Sequence, residues 1–167
     1  NSGELNNGFG NCGGANFGTG NSGEFNTGFA NSGAVNTGFG TTGTLNTGYW
    51  NSGELNTGFA NSGVVNTGFG NAGNFNTGHG FSTDSEGPNS GFQNTGTDVS
   101  GYGNHGDAIS GIFNAAAGGE LLNGYISGFF NTAVPGSAFD GLIAGYDSGL
   151  LNYGTEMAGL FKLATLF

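Results

Sequence analysis

Residues 51–80 read NSGELNTGFANSGVVNTGFGNAGNFNTGHG. Asn returns every fifth residue and Gly two places after it, while the bulky residues return at uneven gaps of four and six. The same pattern runs from Asn1 to Gly80, as sixteen pentads of the form N-[S/T]-G-x-x. Gly holds the third place in all sixteen, and Asn holds the first in all but one, where Thr41 stands. The pentads alternate in kind. Odd ones end in a variable residue and an apolar one, as in Glu4-Leu5 and Val64-Val65; most even ones end in an aromatic and a small residue, as in Phe29-Ala30 and Phe69-Gly70. The repeat is therefore ten residues long.

Gly and Asn at this density oppose a helix, and side chains on a strand alternate faces with period two. A repeating extended chain stacks its turns as a solenoid. The expectation is an all-β, right-handed β-solenoid of about 20 residues per coil, with corners near the Asn-x-Gly triplets where left-handed backbone is tolerated. Stacked Asn side chains would bond from coil to coil. Gaps of four and six are both even, so an extended path puts the bulky residues on one side. This predicts Leu5, Phe9, Phe25, Phe29, Leu55, Phe59 and Phe69 in the core, with Glu4, Glu24 and Glu54 outside. In the alternative, a square coil with one pentad per side, parity is lost at the corners and the even-pentad Phe rings form an outward stripe.

After residue 80 the theme loosens. Residues 81–89 read as an inserted loop around Pro88. Ser-Gly-x-x-Asn then recurs at Ser90, Ser100, Ser110, Ser127 and Ser148, which makes 90–154 a run of looser coils with bulges at AAAGGELL and TAVPGSAFDG. In 155–167, Thr155 reads as an N-cap with Glu156 in the first turn. Met157, Leu160, Phe161, Leu163 and Ala164 then form one apolar face of a short helix that caps the last coil.

Composition narrows the function. Of 167 residues 39 are Gly and only 7% are charged, whereas ordinary domains carry about 25% charge. The 16 Phe argue against disorder. A net charge of −10, with Lys162 the one cation besides two His, disfavours nucleic acid and anionic lipid. One cysteine, Cys12, permits no internal disulfide, and no apolar run is long enough to span a bilayer as a helix. The chain starts in full repeat register at Asn1, which reads as a fragment, so missing targeting signals carry no meaning.

The repeats resemble the C-terminal tandem-repeat (MPTR) regions of mycobacterial PPE-family proteins. NTGFGTTGTLNTG (36–48) and NTGFGNAGNFNTG (66–78) carry the resemblance, with SGFFNT (127–132) and SGLLNYG (148–154) as looser units. It implies a protein that leaves the cytoplasm by type VII secretion and acts at the cell surface or envelope. The family's N-terminal helical domain and Pro-Pro-Glu motif are not in this sequence. Resemblance to pentapeptide-repeat proteins in the broad sense is weaker, because their Ala-Asp/Asn-Leu pattern is missing.

No residues are assigned as catalytic, cofactor-binding or metal-binding. His105 near Asp107 could be a base and its orienter, but no nucleophile stands at a diagnostic spacing, and His79 fills an aromatic slot. Asp84, Glu86 and Asp98 lack the regular oxygen spacing of a Ca²⁺ loop. Cys12 fills a Ser/Thr slot. The expected function is a non-enzymatic, secreted or envelope repeat domain acting as a rod-like surface. Its partners would be proteins or envelope components; residues 111–167 are the expected place for a specific one, end-to-end self-association is possible at the first coil, and membrane contact is left open. The alternative is a ligand-binding or mimic solenoid of the ice-binding or DNA-mimic type. Thr27, Thr47 and Thr67, with Thr37, Thr57 and Thr77 as a second set, speak for ice; the sparse carboxylates speak against DNA mimicry.

Overall fold

Each of the sixteen pentads contributes one short strand, mostly its second to fourth residues: Ser2–Glu4, Asn7–Phe9, Cys12–Gly14 and onward to Asn76–His79. All pair in parallel, and each pairs with the strand ten residues away. Ser2 stands against Cys12 and Gly3 against Gly13 on one side, and Thr47 against Thr57 on the other. The computed structural model, which describes residues 1–83, 87–136 and 140–163, is thus an all-β parallel solenoid, with no helix among those residues. It divides into two compact units, Asn1–Asp84 and Ser85–Phe167.

The register corrects the expected coil length. One coil holds ten residues, two pentads, rather than 20. The backbone explains why. The fifth residue of every pentad turns left-handed, from Leu5 at φ 57° to Gly80 at φ 74°. The third-place glycines run at φ 94° to 139° in this unit. A corner every five residues closes a turn in two pentads. Odd pentads form one sheet and even pentads the other.

Through the sixteen pentads this narrow coil packs carboxamides between its sheets and leaves the rings outside. The predicted core is therefore outside: Leu5 is 86% exposed, Phe9 79%, Phe25 60%, and Phe29, Leu55 and Phe69 nearly half. Phe59 is half-buried. Parity failed because it holds only along an unbroken strand, and every fifth residue breaks this one. The square-coil alternative had the ring direction right. Glu4, Glu24 and Glu54 are exposed as expected.

Asn fills the interior instead. Asn26 and Asn56 are wholly buried. The Asn56 N–H donates to Asn46 Oδ1 at 2.9 Å, and Asn56 Oδ1 in turn accepts the Asn66 N–H at 2.9 Å. Asn56 Nδ2 donates to the Ser52 carbonyl at 2.8 Å and the Gly63 carbonyl at 2.9 Å. Both carboxamide donors and the oxygen are used, which is the condition for burying an amide without loss. Backbone bonds tie the remaining rungs, as in Thr57 N to the Asn66 carbonyl at 2.8 Å and Val65 N to the Glu54 carbonyl at 2.9 Å.

The segment 81–89 begins as one more pentad. Phe81 fills a first place, buried, and donates its N–H to Asn71 Oδ1 at 3.2 Å. Ser82–Thr83 pairs beside Ala72 and Gly73.

In the second unit the Ser-Gly sites stand in register. Ser90 pairs with Ser100, Ser100 with Ser110, Ser110 with Ser127, and Ser127 with Ser148. Sequence gaps of 17 and 21 are single coils with inserts, and the Asn ladder runs through both: Asn131 N–H donates to Asn114 Oδ1 at 3.0 Å and Asn152 N–H to Asn131 Oδ1 at 3.1 Å. The opposite corner changes chemistry. Val99, Ile109 and Ile126 take the first place there, and with Ala116, Ala133 and Ala144 they make an apolar core.

The expected C-terminal helix is not formed. Ala158–Leu160 is a strand whose Gly159 pairs with Gly149. MAGLF (157–161) is a further pentad with both leading places substituted. Glu156 takes the left-handed corner at φ 60°, and Thr155 Oγ1 donates to the Val134 carbonyl at 2.6 Å instead of capping a helix. Met157 is half-buried, whereas Leu160, Phe161 and Leu163 are exposed; Ala164 lies outside the described residues.

Candidate interaction surface

With the inside filled by self-satisfied amides, side chains of the second and fourth places point outward. The third place cannot carry a side chain. A Cβ on Gly38 would run into the Gly48 carbonyl oxygen of the next coil. Each sheet of the first unit therefore presents two parallel columns with a glycine furrow between them.

The two sheets differ in charge. The odd-pentad sheet carries Glu4, Glu24 and Glu54 in its fourth-place column, among Gly14, Ala34 and Thr44. The even pentads hold no Asp, Glu, Lys or Arg. Their second-place column is an exposed row of six threonines, Thr27, Thr37, Thr47, Thr57, Thr67 and Thr77, each aligned with the next. The two sets of threonines seen in the sequence are one row, because the coil is ten residues long.

Beside it runs an aromatic column. Phe29 stacks on Phe39 at 5.0 Å, Phe59 on Phe69 at 4.8 Å and Phe69 on His79 at 4.9 Å. These distances match the spacing of about 4.8 Å between strands, so the coil pitch sets the stacking. Between Phe39 and Phe59 the fifth-place Trp50 intervenes edge-on, at 5.9 Å and 5.2 Å. His79 thus sits in the aromatic slot read from the sequence. In the second unit Phe92 stacks on Tyr102 at 5.1 Å.

The other residues weighed for chemistry are placed apart. His105 Nδ1 lies 3.2 Å from Thr95 Oγ1, and Asp107 Oδ1 accepts the Thr97 N–H at 3.0 Å. Each is engaged with the preceding coil, and the structure shows no bond from one to the other. Asp98 is exposed at a left-handed corner, φ 57°. Cys12 is exposed between Ser2 and Ser22 in their column. Asp84 and Glu86 lie outside the described residues. Among the described residues no three His, Cys, Asp or Glu side chains gather as a metal site.

Sequence reasoning passed over Asp147. It occupies a first place, 2% exposed, in the otherwise apolar column of Val99, Ile109 and Ile126. Oδ1 accepts the Met157 N–H at 2.8 Å, as an Asn oxygen would, but Oδ2 is buried with no partner. Burial pushes its pKa up to about 6, against the smaller downward pull of the Met157 N–H. The signal was in the pentad DSGLL (147–151), where Asp stands in the Asn slot.

Columns, furrow and amide ladder together define a parallel solenoid of pentads, a repeat fold of the structural and protein-interaction kind. A family model described as pentapeptide repeats (8 copies) matches residues 5–44 and again 45–84. The broader of the two resemblances seen in the sequence is thus the one with a match, and nothing found ties the chain to PPE proteins. Comparison with curated proteins and with solved structures found no match.

Proposed function

We propose that this chain is a non-enzymatic interaction and structural module that works at the cell surface or envelope, or as a secreted protein. The observation that carries the interaction reading is the separation of two long outward faces, one acidic and polar, the other uncharged and aromatic. The location is supported by the resemblance of residues 36–48 and 66–78 to PPE tandem repeats. A specific partner is assigned to the second unit, where the inserts within the sequence gaps of 17 and 21 break the periodicity and leave exposed apolar groups such as Leu121, 78% exposed. The test is deletion of residues 81–167 from the intact protein, followed by surface protease shaving and partner capture. Loss of capture with the protein still at the surface supports the reading. Capture that survives this deletion but fails when 1–80 is removed overturns the placement, and an intact protein that protease never reaches overturns the location.

A second reading is favoured by the threonine row. Six aligned hydroxyl-and-methyl side chains on a flat sheet suit binding to an ordered water lattice. Thermal hysteresis that Thr47→Tyr abolishes would establish it.

A further inference from the structure

We propose that the uncharged Thr/aromatic sheet of residues 6–80 is a self-association face, which takes the same face of a second copy of this chain. The inference goes beyond the reading above, since it holds wherever the protein resides.

Three observations lead there. The first is charge. A chain of net charge −10 repels its own copies almost everywhere. In this unit the fully described carboxylates, Glu4, Glu24 and Glu54, all stand on the opposite sheet, and the even pentads have none. Two copies meeting through the even sheets put uncharged columns together and keep those carboxylates outside.

The second is ring geometry. Phe29 and Phe39 are 11° from parallel, and Phe59 and Phe69 are 2° from parallel. Their faces are used on one another, so the column offers a ridge of ring edges. Between these stacked pairs, sugar rings or nucleobases that stack on open aromatic faces find no open face. A ridge with a step of 4.8–5.0 Å is matched along its length by a partner with the same step. Another stack of these coils has it by construction. A lipid surface has no such step, and the hydroxyl row gains nothing from acyl chains.

The third is area. Eight coils at about 4.8 Å, each with a strand about 10 Å wide, give a flat face of roughly 400 Å² per copy. The ridges of side chains add to that. The flat area alone totals about 800 Å², below the roughly 1,000–1,200 Å² of specific interfaces, so the side-chain ridges supply the remainder and the dimer is weak and reversible. A two-fold axis running across the strands' stack sets the two solenoid axes antiparallel, aromatic column on aromatic column and Thr on Thr.

The experiment is sedimentation equilibrium of the full chain across a concentration series, with circular dichroism of each variant as a check of folding. Three variants add one carboxylate each: Thr57→Glu and Phe69→Glu on the proposed face, and Thr44→Glu in the acidic column of the other sheet. The expected result is a monomer–dimer equilibrium in the wild type. Thr57→Glu and Phe69→Glu should weaken it at least tenfold, and Thr44→Glu less than twofold. Thr57 is an exposed hydroxyl, so its variant tests the face even if Phe69→Glu misfolds. A wild type that stays monomeric to about 1 mM, or a dimer that Thr57→Glu leaves intact, as end-to-end contact would, overturns the proposal. So does capture of the monomer by phosphatidylcholine vesicles that Thr57→Glu abolishes.

Discussion

A carboxamide is the side chain that suits the inside of this coil. Asn56 takes part in two bonds through Nδ2 and one through Oδ1, and Ala in its place takes one of two donors from each of two ladder carbonyls and leaves the Asn66 N–H unmatched. At about 1–3 kcal/mol for an orphaned buried group, Asn56→Ala should lower stability by at least about 1–3 kcal/mol in chemical denaturation. Thr41 tests the same rule in reverse. Its N–H and hydroxyl both reach Asn31 Oδ1, at 3.0 Å and 2.8 Å, but it has no amide to pass on. Thr41→Asn should raise stability by about 1 kcal/mol. Asp147 gives a pH signature. Its folded pKa of about 6 lies above the ordinary 3.8, so the folded state holds the proton more tightly than the unfolded chain. Its stabilising effect is complete below the unfolded value and falls as pH rises through the folded one. At about 1.4 kcal/mol per pKa unit, the whole effect is about 3 kcal/mol, of which the wild type should lose about 2 kcal/mol between pH 4 and 6. Asp147→Asn should remove that slope, and a pH series of urea midpoints for the two proteins reads it directly.

A strand of three residues has little stability of its own; it holds because its glycine lets the next coil close in. Gly58 sits at φ 124°, and a Cβ there would meet the Gly68 carbonyl oxygen. Gly58→Ala should therefore be among the most damaging single changes, through backbone strain and the forced separation of two coils. Phe59, one residue on, should tolerate truncation far better. It is half-buried and stacks on Phe69 at 2°, so Phe59→Ala should cost about 1 kcal/mol. That is well below the roughly 3–5 kcal/mol of a core Phe, the figure the parity reading implied. Thermal melts of the two variants side by side give the ranking, and a larger loss for Phe59→Ala would contradict it.

Across the first unit the ladder has a period of five and the faces a period of ten, and deletions separate them. Removing 51–60 takes out one coil and leaves both columns in phase. Removing 56–60 alone keeps Asn and Gly in phase but moves every later pentad to the other sheet. Glu-bearing and aromatic positions then share a column. Both proteins should retain β-rich circular dichroism, because the ladder and furrow survive. The ten-residue deletion should keep any self-association, and the five-residue deletion should lose it.

The solenoid and the coil-to-coil Asn bonds were legible in the chain, because they rest on local chemistry repeated sixteen times. A strict period announces stacking, but the left-handed corners expected at Asn and Gly stand on fifth-place residues such as Leu5, Phe25 and Val35, which no local preference marks. The place of His79 in an aromatic row followed from the same phase. What faces in was not legible. Alternation along a strand says which side chains share a side only until the chain turns, and whether two pentads or four close a turn is settled by how tightly coils meet across the glycine carbonyls. That packing leaves space for Asn26 and expels Phe29. It fused two threonine sets into one row, gathered the carboxylates on one sheet, and drew MAGLF into a strand that its apolar spacing had suggested was a helix. The cost of Asp147 follows from the same closure, because only the closed coil buries its Oδ2 among Ile126 and its apolar column without a donor.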